Sequence, residues 1–198
     1  MGDILTFIST NSFSRKDLNY KSGEIKNIHY GDIHMTFKMG FDIEKEKVPF
    51  INEEIDLRKI TKDQFCQVGD MVIADASEDY SDIGKAIEVL NISNERIVAG
   101  LHTFLARDTT GQNIKGFKGY LFQTWHVRKQ IMKVAQGISV LGISKKNLAK
   151  VEFMLPCIEE QGKIITLLKN IDKRITNTLT QIKQTQKFKK GLLQQMFV

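Results

Sequence analysis

The segment after Pro156 constrains the fold most. From Ile164 onward, apolar or near-apolar residues fall at Ile164, Leu168, Ile171, Ile175, Thr178, Ile182, Thr185, then Phe188 and Leu192, close to alternating steps of four and three, and neither proline nor glycine intervenes before Gly191. That spacing predicts one α-helix with a heptad seam. Counting from Lys163 to Gln195 gives 33 residues, about 50 Å at 1.5 Å per residue. A domain formed by the preceding 159 residues does not need a packing element of that length, so much of the helix projects or finds a partner. Thr178, Thr185 and Lys189 weaken the seam, which favours packing against a second long helix with help over an isolated homodimeric zipper. An amphipathic helix folded back on its own domain is the alternative.

Before Pro156 the pattern is different. Short β-rich stretches alternate with Gly and Asp turns: Met71–Ala74 after Gly69-Asp70, Lys85–Leu90 after Gly84, and Ile97–Arg107 around Gly100. One helical stretch interrupts them, Lys118–Gln136. Leu121, Phe122, Trp125, Val127, Ile131, Val134 and Ala135 make its apolar face, with Arg128, Lys129 and Lys133 off it. This reading puts Trp125 in the core, ends the helix at Gly137, and adds a last strand over Val151–Leu155. The expected fold class is α+β, a mixed globular domain over residues 1–156, followed by a long C-terminal helix over 157–198 that forms a coiled coil.

Charge is distributed unevenly. The net charge is +6, and the segment Glu160–Val198 alone holds eight Lys or Arg against two acids, so residues 1–159 balance at 21 bases and 21 acids. Within them, Asp70–Asp82 carry five acids and no base, whereas Arg107–Lys150 carry nine bases and Asp108 as the one acid. A single charge run is usually a solvated face; an excess of this size over one segment points to an anionic partner.

Several function classes lack their residues. There is no GxxxxGK[ST] and no GxG among the 14 glycines, so neither a P-loop nor a dinucleotide fingerprint is present. With only Pro49 and Pro156, the Asn-Pro-Pro motif of amino-methyltransferases is absent. His29 and His34 are poorly spaced for two ligands on one helix face, and no HExxH occurs. Glu24-Ile25-Lys26 with Asp17 upstream imitates a Mg²⁺-dependent nuclease triplet, but such triplets arise by chance in charged sequences. Asp75, Glu78, Asp79 and Asp82 lack calcium-loop spacing and read as a solvated acidic turn. Cys66 and Cys157 are far apart and read as core thiols rather than a disulfide or zinc pair. No apolar run approaches the length of a membrane helix and the N-terminus lacks signal-peptide features, so a cytoplasmic protein without membrane or cofactor is expected.

The stretch GISVLGISKKNLAKVEFMLPCIEEQGKI (Gly137–Ile164) resembles specificity subunits of type I restriction-modification systems, at the passage where a target recognition domain closes with a strand, a proline, and a Glu-Gln pair opening a long helix. The ending KKGLLQQMFV (Lys189–Val198) is similar to the C-terminus of such subunits. GDMVIADASED, IGKAIEV and VAGLHTFLAR, within Gly69–Arg107, resemble the middle of their recognition domains, and NIHYGDIH (Asn27–His34) their early portion. The resemblance implies a non-catalytic subunit: a mixed domain that reads double-stranded DNA, carried on a helix that packs against another as a spacer. It implies DNA methyltransferase and restriction/translocase subunits as partners and a bipartite target. A full subunit has two recognition domains and two long helices; this sequence has one of each, which suits a natural half-subunit or the C-terminal half of a longer chain.

Reading DNA requires cations for phosphates and polar groups on a rigid scaffold for base edges. Arg107, Lys115, Lys118, Arg128, Lys129, Lys145 and Lys146 are the candidate basic contacts; His29, Tyr30, His102 and Thr103 are polar candidates on or beside turns. Arg128 and Lys129 read equally well as the wet face of the helix, and His102 as a core histidine. Ile164, Leu168, Ile171, Ile175, Ile182, Phe188 and Leu192 are the candidate homodimer or partner contacts. A coiled-coil interaction module that never reads DNA is the competing reading.

Overall fold

The computed structural model describes residues 1–196; Phe197 and Val198, the last two of the family-like tail, lie outside the described residues. Two compact units result, one up to Ile158 and one from Glu159 onward.

The first unit is mixed α/β. Its strands are β1 (Leu5–Ile8), β2 (Leu18–Asn19), β3 (Lys26–Ile28), β4 (Gly40–Asp42), β5 (Phe50–Ile51), β6 (Met71–Ala74), β7 (Ala76–Ser77), β8 (Ala86–Asn91), β9 (Ile97–Ala99), β10 (Thr103–Asp108) and β11 (Leu141–Gly142). They form a five-stranded sheet in the order β1-β10-β6-β8-β4, a four-stranded sheet β2-β5-β3-β9, and the pair β11-β7. Most pairings are antiparallel, but β3 runs parallel to β9 and β4 parallel to β8. Every residue of β6 is buried, which is why it reads as an uninterrupted apolar run rather than an alternating one. Ile28, Phe41, Val72, Ile87, Val89, Ile97 and Leu105 fill the main core, and Ile25, Ile51 and Val98 a smaller one.

Five α-helices stand among the described residues: α1 (Tyr30–Met35), α2 (Phe117–Gln123), α3 (Trp125–Val134), α4 (Lys145–Ala149) and α5 (Ile158–Met196). The expected single helix over Lys118–Gln136 is therefore two. Thr124 takes an extended conformation, φ −63° and ψ 140°; its hydroxyl donates to the Leu121 carbonyl at 2.8 Å and accepts from Val127 N at 3.4 Å. One threonine thus closes α2 and caps α3. The break moves Trp125 off the apolar face, and it is 70% exposed rather than in the core.

Two other sequence expectations change. Ile97–Arg107 is two strands, β9 and β10, with Gly100 in the turn between them. A Cβ there would lie 2.1 Å from Asn27 Oδ1 and 2.9 Å from the Ile28 carbonyl, so only glycine fits. Val151–Leu155 forms no strand: the Gln130 side chain occupies its backbone, accepting from Glu152 N at 2.9 Å and donating to the Glu152 carbonyl at 2.7 Å. Cys66 is buried, which pushes its thiol pKa well up, but Cys157 is exposed and not a core thiol.

The second unit is formed by α5 from Glu159 on; the whole helix is 39 residues long, or about 58 Å. It starts earlier than Lys163 because Ile158, Glu159 and Glu160 extend the helix, the two acids suiting its positive N-terminal end. No helix among the described residues is long and apolar enough to cross a membrane.

Candidate nucleic-acid interface

Residues about 70 positions apart in sequence converge where β3 leads into α1 and where β9 turns into β10. Asn27 is fully buried beneath Gly100 and donates through Nδ2 to Asn11 Oδ1 at 3.0 Å. His29 caps α1: its Nδ1 accepts from Gly31 N at 3.1 Å and lies 3.3 Å from Arg15 Nη2. Both neighbours only donate, so Nδ1 carries no proton and the ring hydrogen sits on Nε2. Arg15 in turn grips Asp32 with two nitrogens, at 2.7 and 3.0 Å. Burial pushes the His29 pKa down, and the Arg15 charge adds to that effect.

Tyr30 stands at the centre. Its ring centroid lies 4.7 Å from that of His29, 6.1 Å from His34 and 5.3 Å from His102, the last two edge to face. His102 occupies the left-handed region at φ +54°, uncommon for a residue with a Cβ. Its carbonyl accepts from Asp75 N at 3.0 Å, and its Nδ1 lies 3.3 Å from Asp75 Oδ1. Burial pushes the Asp75 carboxyl pKa up, with His102 and Lys145 pulling the other way. Lys145 opens α4 and sets its ammonium 5.7 Å from the Phe104 ring centroid. His29, Tyr30, His102 and Lys145 from the sequence reading are thus brought into one neighbourhood.

Four other candidates are committed internally. Lys118 is 3% exposed, with its ammonium 3.4 Å from Glu88, whose carboxylate also accepts from Gly116 N at 2.7 Å and Gly119 N at 2.8 Å. This buried pair fixes the start of α2, so the Lys118 ammonium is committed to Glu88 rather than presented at the surface. Thr103 is buried and donates to the Gly100 carbonyl at 2.6 Å; it shapes the His102 turn and does not face outward. Arg107 forks onto Asp70 at 2.9 and 2.7 Å and onto the Phe65 carbonyl at 2.9 Å. Arg128 donates to the carbonyls of Ser81 and Ile83, bracing the acidic turn rather than lying on a wet helix face. Lys115, Lys129 and Lys146 are exposed.

Sequence reasoning missed Arg15, Asp32 and His34, which support the cluster from α1 and the segment before it. No spacing rule joins Arg15 to Asp32; the capping histidine at the entrance to NIHYGDIH was the available signal. The acidic residues are distributed among separate tasks: Asp79 accepts from Ser81, and Asp82 lies 3.7 Å from Lys85. Glu24 pairs with Arg96 and Lys26 with Glu95, so the nuclease-like triplet has its charges engaged elsewhere. Among the described residues, no three His, Cys, Asp or Glu side chains are grouped to hold a metal.

On α5, Ile164, Ile171, Ile175, Ile182, Phe188 and Leu192 are exposed and Leu168 is half-buried. Leu167, Leu179, Leu193 and Met196 are exposed as well. They widen the apolar stripe beyond a strict heptad seam.

The family model for the type I restriction modification DNA specificity domain matches residues 2–186. No curated protein matches this chain. Among solved structures, the S subunit of a type I restriction-modification system from M. genitalium is 12% identical, with a TM-score of 0.52, over 89% of this chain and 38% of that one. The HsdS subunit from Thermoanaerobacter tengcongensis is 17% identical, with a TM-score of 0.53, over 88% and 37%. A chain from a structure describing assembly and conformational transition of the type I R-M system is also 17% identical, with a TM-score of 0.56, again over 88% and 37%. This chain therefore spans less than two fifths of each of these structures, and at such identities the likeness is one of fold. The family match is broader, taking in the mixed α/β unit and most of α5 together: the chain belongs to the family of type I restriction modification DNA specificity domains.

Proposed function

We propose that this chain is a non-catalytic DNA recognition subunit: the unit ending at Ile158 reads half of a bipartite duplex target, and α5 holds a second such unit and the partner subunits. Those partners are DNA methyltransferase subunits and a restriction/translocase subunit. The observation that carries the reading is the match of one specificity-domain family across both units. The cluster of His29, Tyr30, His102 and Lys145 supports it, because it sets aromatic, acceptor and cationic groups at the β9–β10 turn and at the starts of α1 and α4. The exposed apolar stripe of α5 supports the second part, since a face of that length in water requires a covering partner.

Mobility shift with random-sequence duplex, with and without a methyltransferase subunit, tests the reading. Binding that becomes sequence-selective on adding the subunit is the expected result. A chain that dimerises and holds the methyltransferase without retarding DNA would be an interaction module only, and the DNA part of the proposal would fall.

A further inference from the structure

Resting on the DNA reading above, we propose that His102 is a base reader held in one tautomer by Asp75, so that it presents an acceptor and selects an amino base, adenine or cytosine, on the strand it faces. Three constraints fix this imidazole. Its backbone is locked at φ +54° in the β9–β10 turn, with its own carbonyl accepting from Asp75 N at 3.0 Å. The turn cannot drift toward β3, because Gly100 packs against Asn27 and Ile28 with no room for a Cβ. The Tyr30 ring stands against the imidazole, edge to face, with 5.3 Å between centroids.

The chemistry follows from which nitrogen is occupied. Asp75 Oδ1 lies 3.3 Å from Nδ1. An ionised carboxylate only accepts, so the proton of a neutral ring belongs on Nδ1, and Nε2 is left with a lone pair. The Asp75 side chain is three-quarters covered while that of His102 is half exposed, so the orienting group is shielded and the presented one is accessible. In the major groove the groups that donate to such a lone pair are adenine N6 and cytosine N4; guanine O6 and N7 and thymine O4 are acceptors and would face it lone pair to lone pair. Asp75 is a positioning residue in this scheme, and the contact with the base belongs to His102 alone.

The test is selection of binding sites from a randomised duplex pool at pH 8 by the full chain with its methyltransferase subunit. Wild type, His102→Ala, His102→Asn and Asp75→Asn are compared position by position. Wild type is expected to show one position restricted to adenine or cytosine. His102→Ala should relax that position alone, by about tenfold or more given the usual cost of a lost base contact, and His102→Asn should narrow it toward adenine, which asparagine meets with paired bonds. Asp75→Asn offers an amide N–H to Nδ1, drives the ring proton to Nε2, and should weaken the amino-base preference or shift it toward guanine or thymine. A merely structural role for Asp75 would lower affinity without altering which base is chosen. If His102→Ala leaves every position's preference unchanged, the base-reader assignment is overturned while the DNA reading stands. If wild type selects no sequence at all, the reading on which it rests falls too.

Discussion

His29 caps α1 with the nitrogen that a proton would occupy. Protonation would set a ring N–H against Gly31 N and Arg15 Nη2, two donors 3.1 and 3.3 Å away. The folded pKa is pushed down by burial and by Arg15, so the unfolded chain takes up its proton first as pH falls. This contribution to stability is full above the ordinary imidazole value of about 6.5, and is lost as pH drops through and below that value toward the folded pKa. Stability by urea unfolding should fall between pH 7 and pH 5, and His29→Asn, which still caps but does not titrate, should flatten that part of the profile. Lys118 offers a contrast at the same scale. Lys118→Gln leaves Glu88 buried without its cation and should cost about 3 kcal/mol of stability, read as a lowered urea midpoint. Lys146→Gln, on the surface, should leave the midpoint unmoved and reduce the salt dependence of DNA binding by about one unit of slope if it meets a phosphate. The sequence shows how many cations a segment holds but not which are already paired: Glu88 lies 30 residues from Lys118, and Asp70 is 37 from Arg107. That His29, Tyr30 and His102 lie close together was partly legible because each sits within two residues of Gly31 or Gly100 at an element boundary; Arg15 and Asp32 were not, because their roles exist only after β3 and α1 have folded.

At the scale of elements, legibility tracked how local the cause is. β6 could be read to the residue because burial on both faces leaves an unbroken apolar run bounded by Gly69-Asp70. α5 could be read because its period persists for many turns. The division between α2 and α3 could not: a hydroxyl that both donates backward and accepts forward leaves no trace in periodicity, and the apolar residues on either side of Thr124 still fit one helical face. The absent strand at Val151–Leu155 has a similar origin, since a distant glutamine amide replaced a backbone partner. For α5 the proposed association gives a direct check. Ile171 and Ile175 are exposed, one helical turn apart on the apolar stripe, and replacing both with Asp would put two charges where a partner helix must desolvate them. Sedimentation should show the double variant as a monomer under conditions where the unaltered chain is dimeric, with the circular dichroism of the first unit unchanged. A variant that still sediments as a dimer would place the interface off this stripe.

For the whole molecule, net positive charge is a poor guide taken as a sum. The first unit is close to neutral, and three of the nine bases between Arg107 and Lys150, namely Arg107, Lys118 and Arg128, are engaged by internal carboxylates and carbonyls, leaving Lys115, Lys129, Lys145 and Lys146 as the outward cations from the sequence reading. In the proposed assembly, two recognition units joined through paired α5 helices would read half-sites separated by a gap that the rod sets. Inserting four residues between Thr176 and Asn177 adds about one turn, or about 6 Å. Methylation-protection mapping of the reconstituted complex should then show the same half-sites with the gap longer by about one or two base pairs, at about 3.4 Å each. An unchanged gap with activity retained would show that α5 holds partners without measuring distance.

The middle of α5 has a further property. Thr176, Thr178 and Thr180 each turn their hydroxyl back onto the carbonyl four residues earlier, at 2.9 to 3.0 Å, a bond that competes with the helix ladder and tends to bend the axis. Threonine also costs roughly half a kcal/mol per residue against alanine in a helix. Thr166 and Thr185 make the same bond singly, one toward each end; three such residues within five positions concentrate compliance at the centre of the rod, where it flexes most under load, as a leaf spring does.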